Sequence, residues 1–265
     1  MDFKTFGMSD KPPLMLIHGL GMTWQCFKEI IPLLEEDYFL ILPVLDGHNP
    51  QNHSTFQSVS DTAEKIETYI DNNFQGHLAS LLGFSLGGTI VIEMLTRQKV
   101  KFDQVILDSP CLETMGIFKR TYASMWISQL NKFVKGKDIS GFLKKVNGSH
   151  DVSNYYLSLF FHLSPKTIQN ACREAYSYPI PAALAEVSSR MVYWHGDRDA
   201  NATGSAKAMK VLLPSMRIRI FGGLGQGELL MRFPLRYSAQ IRNFLNPETQ
   251  PSDNPGKEQE PTKAS

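Results

Sequence analysis

A serine flanked by glycines is the first feature of this sequence that could do chemistry. The pentapeptide Gly83-Phe84-Ser85-Leu86-Gly87 lies between an apolar stretch, Leu78–Phe84, and a segment with the pattern of a helix, Leu86–Arg97. Glycines on both sides relieve the steric clashes of a tight turn from a strand into a helix. Because the start of a helix favours negative charge, such a turn suits a serine that attacks a carbonyl carbon. The pattern predicts Ser85 as a nucleophile.

A glycine-rich loop after an earlier strand could supply the second requirement of acyl transfer. Attack on a carbonyl leaves negative charge on its oxygen, which two backbone N–H groups can stabilise. The sequence His18-Gly19-Leu20-Gly21 ends the apolar strand Pro13–His18, and we predict the N–H groups of Leu20 and Leu86 as these oxyanion donors. His18 itself is expected to shape the loop rather than to act in catalysis.

Four motifs in a fixed order carry a resemblance to a known family. They are HGLG at 18–21, DGH at 46–48, GFSLGG at 83–88 and WHGDRD at 194–199. Over residues 12–245 the chain resembles the α/β-hydrolase superfamily, close to its small, capped esterase and lipase-like branch. The resemblance implies the chain order nucleophile, acid, histidine, with a helical cap inserted after the sixth strand.

The resemblance also implies which residue is the acid of the site. The family places it as Gly-x-x-Asp after a late strand, which here is Gly196-Asp197-Arg198-Asp199. Asp199 is the matching position, whereas Asp197 comes too early and is expected to be solvated. Asp108, after the preceding strand, is an alternative acid. His48, in the loop after the second predicted strand, is expected to be structural.

The position at which the family carries its histidine holds a glutamine in this chain. The segment Gly223-Leu224-Gly225-Gln226-Gly227-Glu228 matches the family's pattern around that histidine, and no histidine follows His195 in the sequence. Imidazole can take the serine proton because its pKa lies near neutrality, whereas a carboxamide has no comparable basicity. Loss of the base costs a serine hydrolase on the order of 10⁶-fold in kcat. Gln226 is therefore expected to weaken turnover.

Three hypotheses about Gln226 stay open from the sequence. In the first, His195 or Glu228 replaces the missing base. In the second, the chain is a non-catalytic protein or receptor that binds a small ligand in the same pocket. In the third, Gln226 is a local or engineered change in a lineage of ordinary hydrolases. We expect a serine hydrolase scaffold, esterase- or lipase-like, for a small to medium lipophilic ester or acyl substrate, with the non-catalytic binding protein as the alternative.

Short apolar runs alternate with helical patterns, which predicts an α/β fold with a mainly parallel sheet and helices on both faces. The predicted strands are Pro13–His18, Tyr38–Leu42, Leu78–Phe84, Val105–Asp108, Met191–His195 and Arg217–Phe221. The predicted helices of this unit are Phe56–Phe74, Leu86–Arg97 and Phe233–Leu245. Successive parallel strands end at one edge of a sheet, so the motifs that follow them are expected to meet there.

The alternation of predicted strands and helices is interrupted, and this divides the chain into three parts. We predict a hydrolase core of residues 1–110 and 190–246, a helical cap of residues 111–189, and a disordered tail of residues 247–265. The cap lacks a strand pattern and is rich in large side chains that could form an apolar roof over the site. These side chains are Phe118, Tyr122, Trp126, Phe133, Phe142, Tyr155, Tyr156, Phe160 and Phe161. The tail is too polar to bury its surface.

The composition bounds the partners and the compartment. A net charge of +1 over 265 residues gives no basic footprint for nucleic acid. Cys26, Cys111 and Cys172 form no CxxC pair, so we expect neither a metal site nor a disulfide framework. No apolar run is long enough to span a membrane, and the first residues lack the apolar core of a signal peptide. We expect a cytoplasmic protein that needs no metal or organic cofactor; its oligomeric state is not predicted.

Overall fold

A seven-stranded sheet forms the centre of the molecule. The computed structural model describes residues 1–49, 51, 54–112, 119–139, 141 and 163–246. The strand order is β1-β3-β2-β4-β5-β6-β7, and every pair is parallel except the antiparallel pair β1–β3. The strands are β1 (Asp2–Phe6), β2 (Pro13–Ile17), β3 (Phe39–Val44), β4 (His77–Phe84), β5 (Lys101–Asp108), β6 (Arg190–Gly196) and β7 (Arg217–Phe221). The predicted fold class is confirmed.

Helices cover both faces of this sheet, which explains the continuous apolar runs of its strands. In β2, Leu14 and Leu16 belong to one buried cluster and Met15 and Ile17 to the other, and all four are 0% exposed. The helices are α1 (Ile31–Leu34), α2 (Val59–Phe74), α3 (Leu86–Arg97), α4 (Lys119–Val134), α5 (Pro165–Ala175), α6 (Ala200–Leu212), α7 (Glu228–Arg232) and α8 (Pro234–Leu245), with 3₁₀ turns at Trp24–Phe27 and Ala182–Glu186.

Local chemistry accounts for the main differences between predicted and observed helix ends. The helix predicted from Phe56 begins at Val59, because the side chain of Ser58 caps it by accepting a hydrogen bond from the Asp61 N–H. The single helix predicted over Phe233–Leu245 is preceded by a separate short helix, α7. Pro234 starts α8 because proline fits the first helical position, where no intrahelical hydrogen bond needs its N–H. It cannot continue the preceding helix, since it has no N–H to donate there.

Two features of the sheet differ from the expected pattern. The strand β1 was not predicted, because it lies at an edge and most of its residues stay exposed, so it lacks an apolar run. Counted along this chain, the helical insertion follows the fifth strand rather than the sixth, since the sheet of the described residues has seven strands and only five precede it.

The segment predicted as a cap is described in part. Its helices α4 and α5 pack against each other, and the Trp126 and Phe133 side chains join the buried cluster that contains Phe27 and Leu229. The other large side chains of the predicted roof lie outside what the structure describes. The same holds for residues 247–265. The division into core, cap and tail stays a prediction.

Candidate active site

Ser85 occupies a sharp turn between β4 and α3. Its φ of 52° and ψ of −114° are rare for a residue with a side chain, and its N–H donates to the Asp108 carbonyl oxygen at 2.8 Å. A Cβ at Gly87 would overlap the Ile17 carbonyl oxygen, and one at Gly83 would lie 2.5 Å from the Gly87 carbonyl oxygen. The flanking glycines are thus required by close backbone packing, as the pentapeptide suggested.

The loop after β2 lies directly against this turn. A Cβ added to Gly19 would stand 3.2 Å from the Cβ of Ser85, so a larger residue there would require its neighbours to move by a few tenths of an ångström. Leu86 is the first residue of α3, and its N–H therefore has no partner within the helix. This placement is compatible with Leu20 and Leu86 as oxyanion donors, a role that stays a prediction.

His18 uses both ring nitrogens on neighbouring backbone groups. Its Nε2 accepts from the Leu45 N–H at 3.2 Å, so Nδ1 carries the hydrogen and donates to the Gly19 carbonyl oxygen at 3.0 Å. Burial lowers the pKa of His18 to about 3. A neutral ring with two fixed partners ties the glycine loop to the end of β3, and this leaves it no nitrogen for proton transfer.

The ring of His48 packs against the ring of His18. The two ring centroids are 5.3 Å apart with an edge-on orientation, and Nδ1 of His48 lies 3.1 Å from the Asp46 carbonyl oxygen. Its Nε2 is buried and has no hydrogen-bond partner among the described residues. Burial lowers the pKa of His48 to about 4. Both histidines are therefore neutral at physiological pH.

The acid turn after β6 holds Asp199 at the start of α6. Its Oδ1 accepts from the Ala202 N–H at 3.0 Å, whereas its buried Oδ2 has no partner in the part of the chain that the structure describes. Burial raises the pKa of Asp199. Asp197 is exposed, as expected, and its Oδ1 accepts from the Gly223 N–H at 2.9 Å. An unsatisfied buried carboxylate oxygen is uncommon, and it is what the loss of an imidazole N–H partner would leave.

Backbone contacts join the acid turn to the loop that carries Gln226. The Arg198 N–H donates to the Leu224 carbonyl oxygen at 3.0 Å, and the Asp197 N–H donates to that of Phe221 at 3.1 Å. A Cβ at Gly196 would overlap the Leu224 carbonyl oxygen. The two loops therefore form one unit at the edge of the sheet, next to the end of β4.

The carboxamide of Gln226 contacts the candidate nucleophile directly. Its Nε2 lies 3.1 Å from the Ser85 Oγ, 3.2 Å from the Ser109 carbonyl oxygen and 3.9 Å from the Cys111 Sγ. A carbonyl oxygen can only accept, so the Ser109 contact fixes the atom facing it as the donor nitrogen. The amide therefore donates toward Ser85 Oγ and does not take its proton.

Both candidate substitutes for the base are engaged elsewhere. His195 Nδ1 lies 2.9 Å from the Gly196 carbonyl oxygen and 3.2 Å from the Thr203 Oγ1. Glu228 accepts from the Gly225 N–H at 2.7 Å and pairs with two arginines, Arg232 at 3.3 Å and Arg198 at 3.7 Å. These contacts hold the acid turn and the glutamine loop in place, and they direct neither group at Ser85.

Asp108, the alternative acid, has a different set of partners. Its Oδ2 accepts from the Tyr237 hydroxyl at 2.8 Å and its Oδ1 from the Ser109 hydroxyl at 3.0 Å. Burial raises the pKa of Asp108 to about 7, although both hydrogen bonds oppose this shift. Because both oxygens are occupied, Asp199 has the freer acceptor. Ser109 and Tyr237 are not predicted as parts of the site from the sequence. No local pattern indicates that Tyr237, 129 residues further along the chain, contacts Asp108 at the end of this strand.

Neither a cluster of metal ligands nor a helix that could span a membrane is found in the described ranges. Within them, no cluster of three or more histidine, cysteine, aspartate or glutamate residues is placed to hold a metal ion. None of the described helices is both long enough and apolar enough to cross a bilayer.

Comparison with known proteins gives the class to which this architecture belongs. Residues 12–186 match the model of a family described as the alpha/beta hydrolase fold. The match covers more than half of the 265 residues, and the chain belongs to this family.

The chain also has partial similarity to individual proteins of known name. The 30 kDa subunit of magnesium chelatase from Rhodobacter capsulatus is 28% identical over 116 residues, which cover 42% of this chain and 36% of that protein. Pimeloyl-[acyl-carrier protein] methyl ester esterase from Aromatoleum aromaticum is 28% identical over 109 residues, which cover 40% of each chain. The chain thus spans about two fifths of the length of these curated relatives.

A solved structure covers nearly the whole molecule. An alpha/beta hydrolase family protein from Desulfitobacterium hafniense matches with a TM-score of 0.77 and 26% identity, over 92% of this chain and 100% of that one. The fold of 92% of this chain is therefore shared with a solved structure of the family.

Proposed function

We propose that this protein binds a small to medium lipophilic ester or acyl compound and hydrolyses it slowly, with Ser85 as the nucleophile. One observation carries the proposal: the Ser85 hydroxyl stands at a strained strand-to-helix turn, 3.1 Å from the residue that occupies the family's histidine position. In this assignment Asp199 is the orienting acid, and the N–H groups of Leu20 and Leu86 hold the oxyanion.

Slow turnover follows from the direction of the hydrogen bond between Gln226 and Ser85. Attack on an ester requires that the hydroxyl proton leave as the C–O bond forms, and it later has to reach the departing alcohol. The Gln226 nitrogen donates to Ser85 Oγ and has no lone pair available to receive that proton. Oxyanion donors and substrate binding alone support a residual acceleration of roughly 10³-fold over water.

The substrate class is supported by a relative and by the predicted cap. The related esterase from Aromatoleum aromaticum acts, by its name, on a methyl ester of an acyl chain. Trp126 and Phe133 pack into the apolar cluster beside α7, the helix that follows the glutamine loop. An apolar cluster beside the helix that follows Gln226 favours lipophilic esters over charged substrates. The three buried free thiols favour a reducing compartment, and we place the protein in the cytoplasm.

The test is hydrolysis of p-nitrophenyl acetate, butyrate and octanoate by the native chain and by Ser85→Ala. We expect the native chain to release p-nitrophenol above the buffer rate, with a lower KM for the longer acyl chains. The rate of the Ser85→Ala variant should fall to that of an unrelated protein at equal concentration. Equal rates for the native chain and Ser85→Ala would contradict turnover at Ser85.

A non-catalytic binding protein is the second candidate, and the state of Asp199 favours it. In a working triad the acid oxygen holds the histidine, but here the Asp199 Oδ2 is buried without a partner among the described residues. Isothermal titration with octanoate, methyl octanoate and octanol tests this function directly. Saturable binding by a native chain that shows no Ser85-dependent hydrolysis would establish it. Absence of both binding and hydrolysis would contradict both candidates.

A further inference from the structure

Two consecutive backbone carbonyls hold the two residues at the centre of the site. The Asp108 carbonyl oxygen accepts from the Ser85 N–H at 2.8 Å, and the Ser109 carbonyl oxygen accepts from Gln226 Nε2 at 3.2 Å. The relative placement of Ser85 and residue 226 therefore depends on the direction in which this dipeptide presents its carbonyls.

Hydrogen bonds to neighbouring groups hold the backbone of Ser109 in an unusual conformation. Its φ is 53°, in the left-handed region that serine rarely adopts. The Ser109 N–H donates to the Trp194 carbonyl oxygen at 2.9 Å, and its hydroxyl donates to Asp108 Oδ1 at 3.0 Å. The second of these contacts links the strained residue to the carboxyl group that precedes it.

The carboxyl group of Asp108 is held in turn by the last helix. Tyr237, in α8, donates its hydroxyl to Asp108 Oδ2 at 2.8 Å. Tyr237 is 0% exposed and Asp108 is 7% exposed, so water does not compete for this bond. Hydrogen bonds to a charged or polar group out of water fix geometry more strictly than exposed ones. A continuous path of contacts thus leads from α8 through Asp108 and Ser109 to residue 226.

We propose that Tyr237 and Asp108 are positioning residues, which orient the Ser109 carbonyl and thereby align residue 226 with the Ser85 hydroxyl. The inference rests on the proposed function for its kinetic consequence, but its structural part applies to the native chain without turnover. Neither residue touches the substrate in this scheme. Their effect reaches the reacting atoms only through the Ser109 carbonyl.

The first experiment needs no catalysis. The side-chain amide protons of Gln226 are recorded by ¹H–¹⁵N NMR in the native chain and are assigned by their loss in Gln226→Glu. Tyr237→Phe removes only the hydroxyl, and we expect it to shift these two protons and to speed their exchange with solvent. The matched control is Tyr38→Phe, which removes a half-buried tyrosine hydroxyl that accepts from Asn246 at 2.9 Å, where β3 starts and α8 ends. This control should leave the Gln226 signals unchanged.

The second experiment measures kinetics in the Gln226→His background. There, Tyr237→Phe is expected to lower kcat for p-nitrophenyl butyrate roughly 10- to 100-fold, because small misalignments of reacting groups have effects of this size. We expect KM to stay within about twofold, since the residue does not touch substrate, and Tyr38→Phe to change neither constant.

The outcomes separate the two proposals. Unchanged Gln226 signals in folded Tyr237→Phe would overturn the positioning role, whatever the activity. Shifted signals together with an inactive Gln226→His variant would support the positioning role and count against the proposed hydrolysis. If Tyr237→Phe does not fold, Ser109→Ala interrupts the same path at the next contact. Unchanged signals in that variant would overturn the proposal equally.

Discussion

At the scale of single residues, the two oxygens of the Asp199 carboxylate have unequal surroundings. One caps α6 through the Ala202 N–H, and the other is buried with no partner among the described residues. Leaving a buried acceptor unsatisfied costs about 1–3 kcal/mol of stability, and burial has already raised the pKa of this group. A carboxylate in this state is what the proposed triad would contain if only its histidine were missing.

Replacing Asp199 by asparagine should have opposite consequences in two backgrounds. In the native chain we expect Asp199→Asn to keep the cap and to change the free energy of unfolding by less than about 1 kcal/mol. In Gln226→His the same change should lower kcat by roughly 10⁴-fold, because the histidine loses the acceptor that orients it. Urea unfolding and steady-state kinetics measure the two effects. A loss of more than about 2 kcal/mol in the native chain would mean that Asp199 Oδ2 is satisfied after all.

At the scale of elements, the site depends on loops that follow β2, β4, β5, β6 and β7 at one edge of the sheet. The acid turn and the glutamine loop are the most tightly joined, because a Cβ at Gly196 would overlap the Leu224 carbonyl oxygen. The strands bring these loops together, and the glycines let them touch. These backbone contacts fix the position of the loop that carries Gln226 relative to the acid turn.

We expect Gly196→Ala to separate these two loops. Overpacking at a rigid backbone contact should lower the free energy of unfolding by about 1–3 kcal/mol. It should also reduce the activity of Gln226→His. The matched control is Gly222→Ala, where the nearest atom to an added Cβ is Asp197 Oδ2 at 3.9 Å. Differential scanning calorimetry and p-nitrophenyl butyrate hydrolysis report the two effects. Equal destabilisation by both substitutions would show that the Gly196 contact is not special.

Local patterns predicted those parts of the fold that local physics determines. The observed bounds of α3 (Leu86–Arg97) and β7 (Arg217–Phe221) are the predicted ones. Apolar periodicity and flanking glycines or charges mark both elements. The edge strand β1 carries no such pattern. Among the groups that support the site, Ser109 and Tyr237 could not be found, since the direction of a backbone carbonyl and a contact across 129 residues leave no trace in spacing.

At the scale of the whole molecule, buried ionisable groups make stability depend on pH in opposing ways. The pKa of Asp108 is raised to about 7, so the folded state keeps a proton that the unfolded chain releases near pH ~4. Its contribution falls as pH rises between these values. The pKa values of His18 and His48 are lowered to about 3 and about 4, so their contribution is lost as pH falls below ~6.5.

Asp108→Asn isolates the carboxylate part of this dependence. Between pH ~4.5 and ~6.5 the free energy of unfolding of the native chain, relative to that of Asp108→Asn, should fall by about 1.4 kcal/mol per pH unit. The difference should become constant above pH ~8, where Asp108 is ionised in both states. Urea titrations of both proteins across this range test the prediction. Parallel stability curves would show that Asp108 ionises normally in the folded protein.

The most direct test of the central claim is the rate at which Gln226→His hydrolyses p-nitrophenyl butyrate. If the molecule holds a triad that lacks only its base, we expect kcat/KM to rise at least ~10³-fold over the native chain. Adding Ser85→Ala to Gln226→His should abolish the gain. A folded Gln226→His variant, with native circular dichroism and an unchanged unfolding midpoint, that hydrolyses the ester no faster than the native chain would contradict the claim.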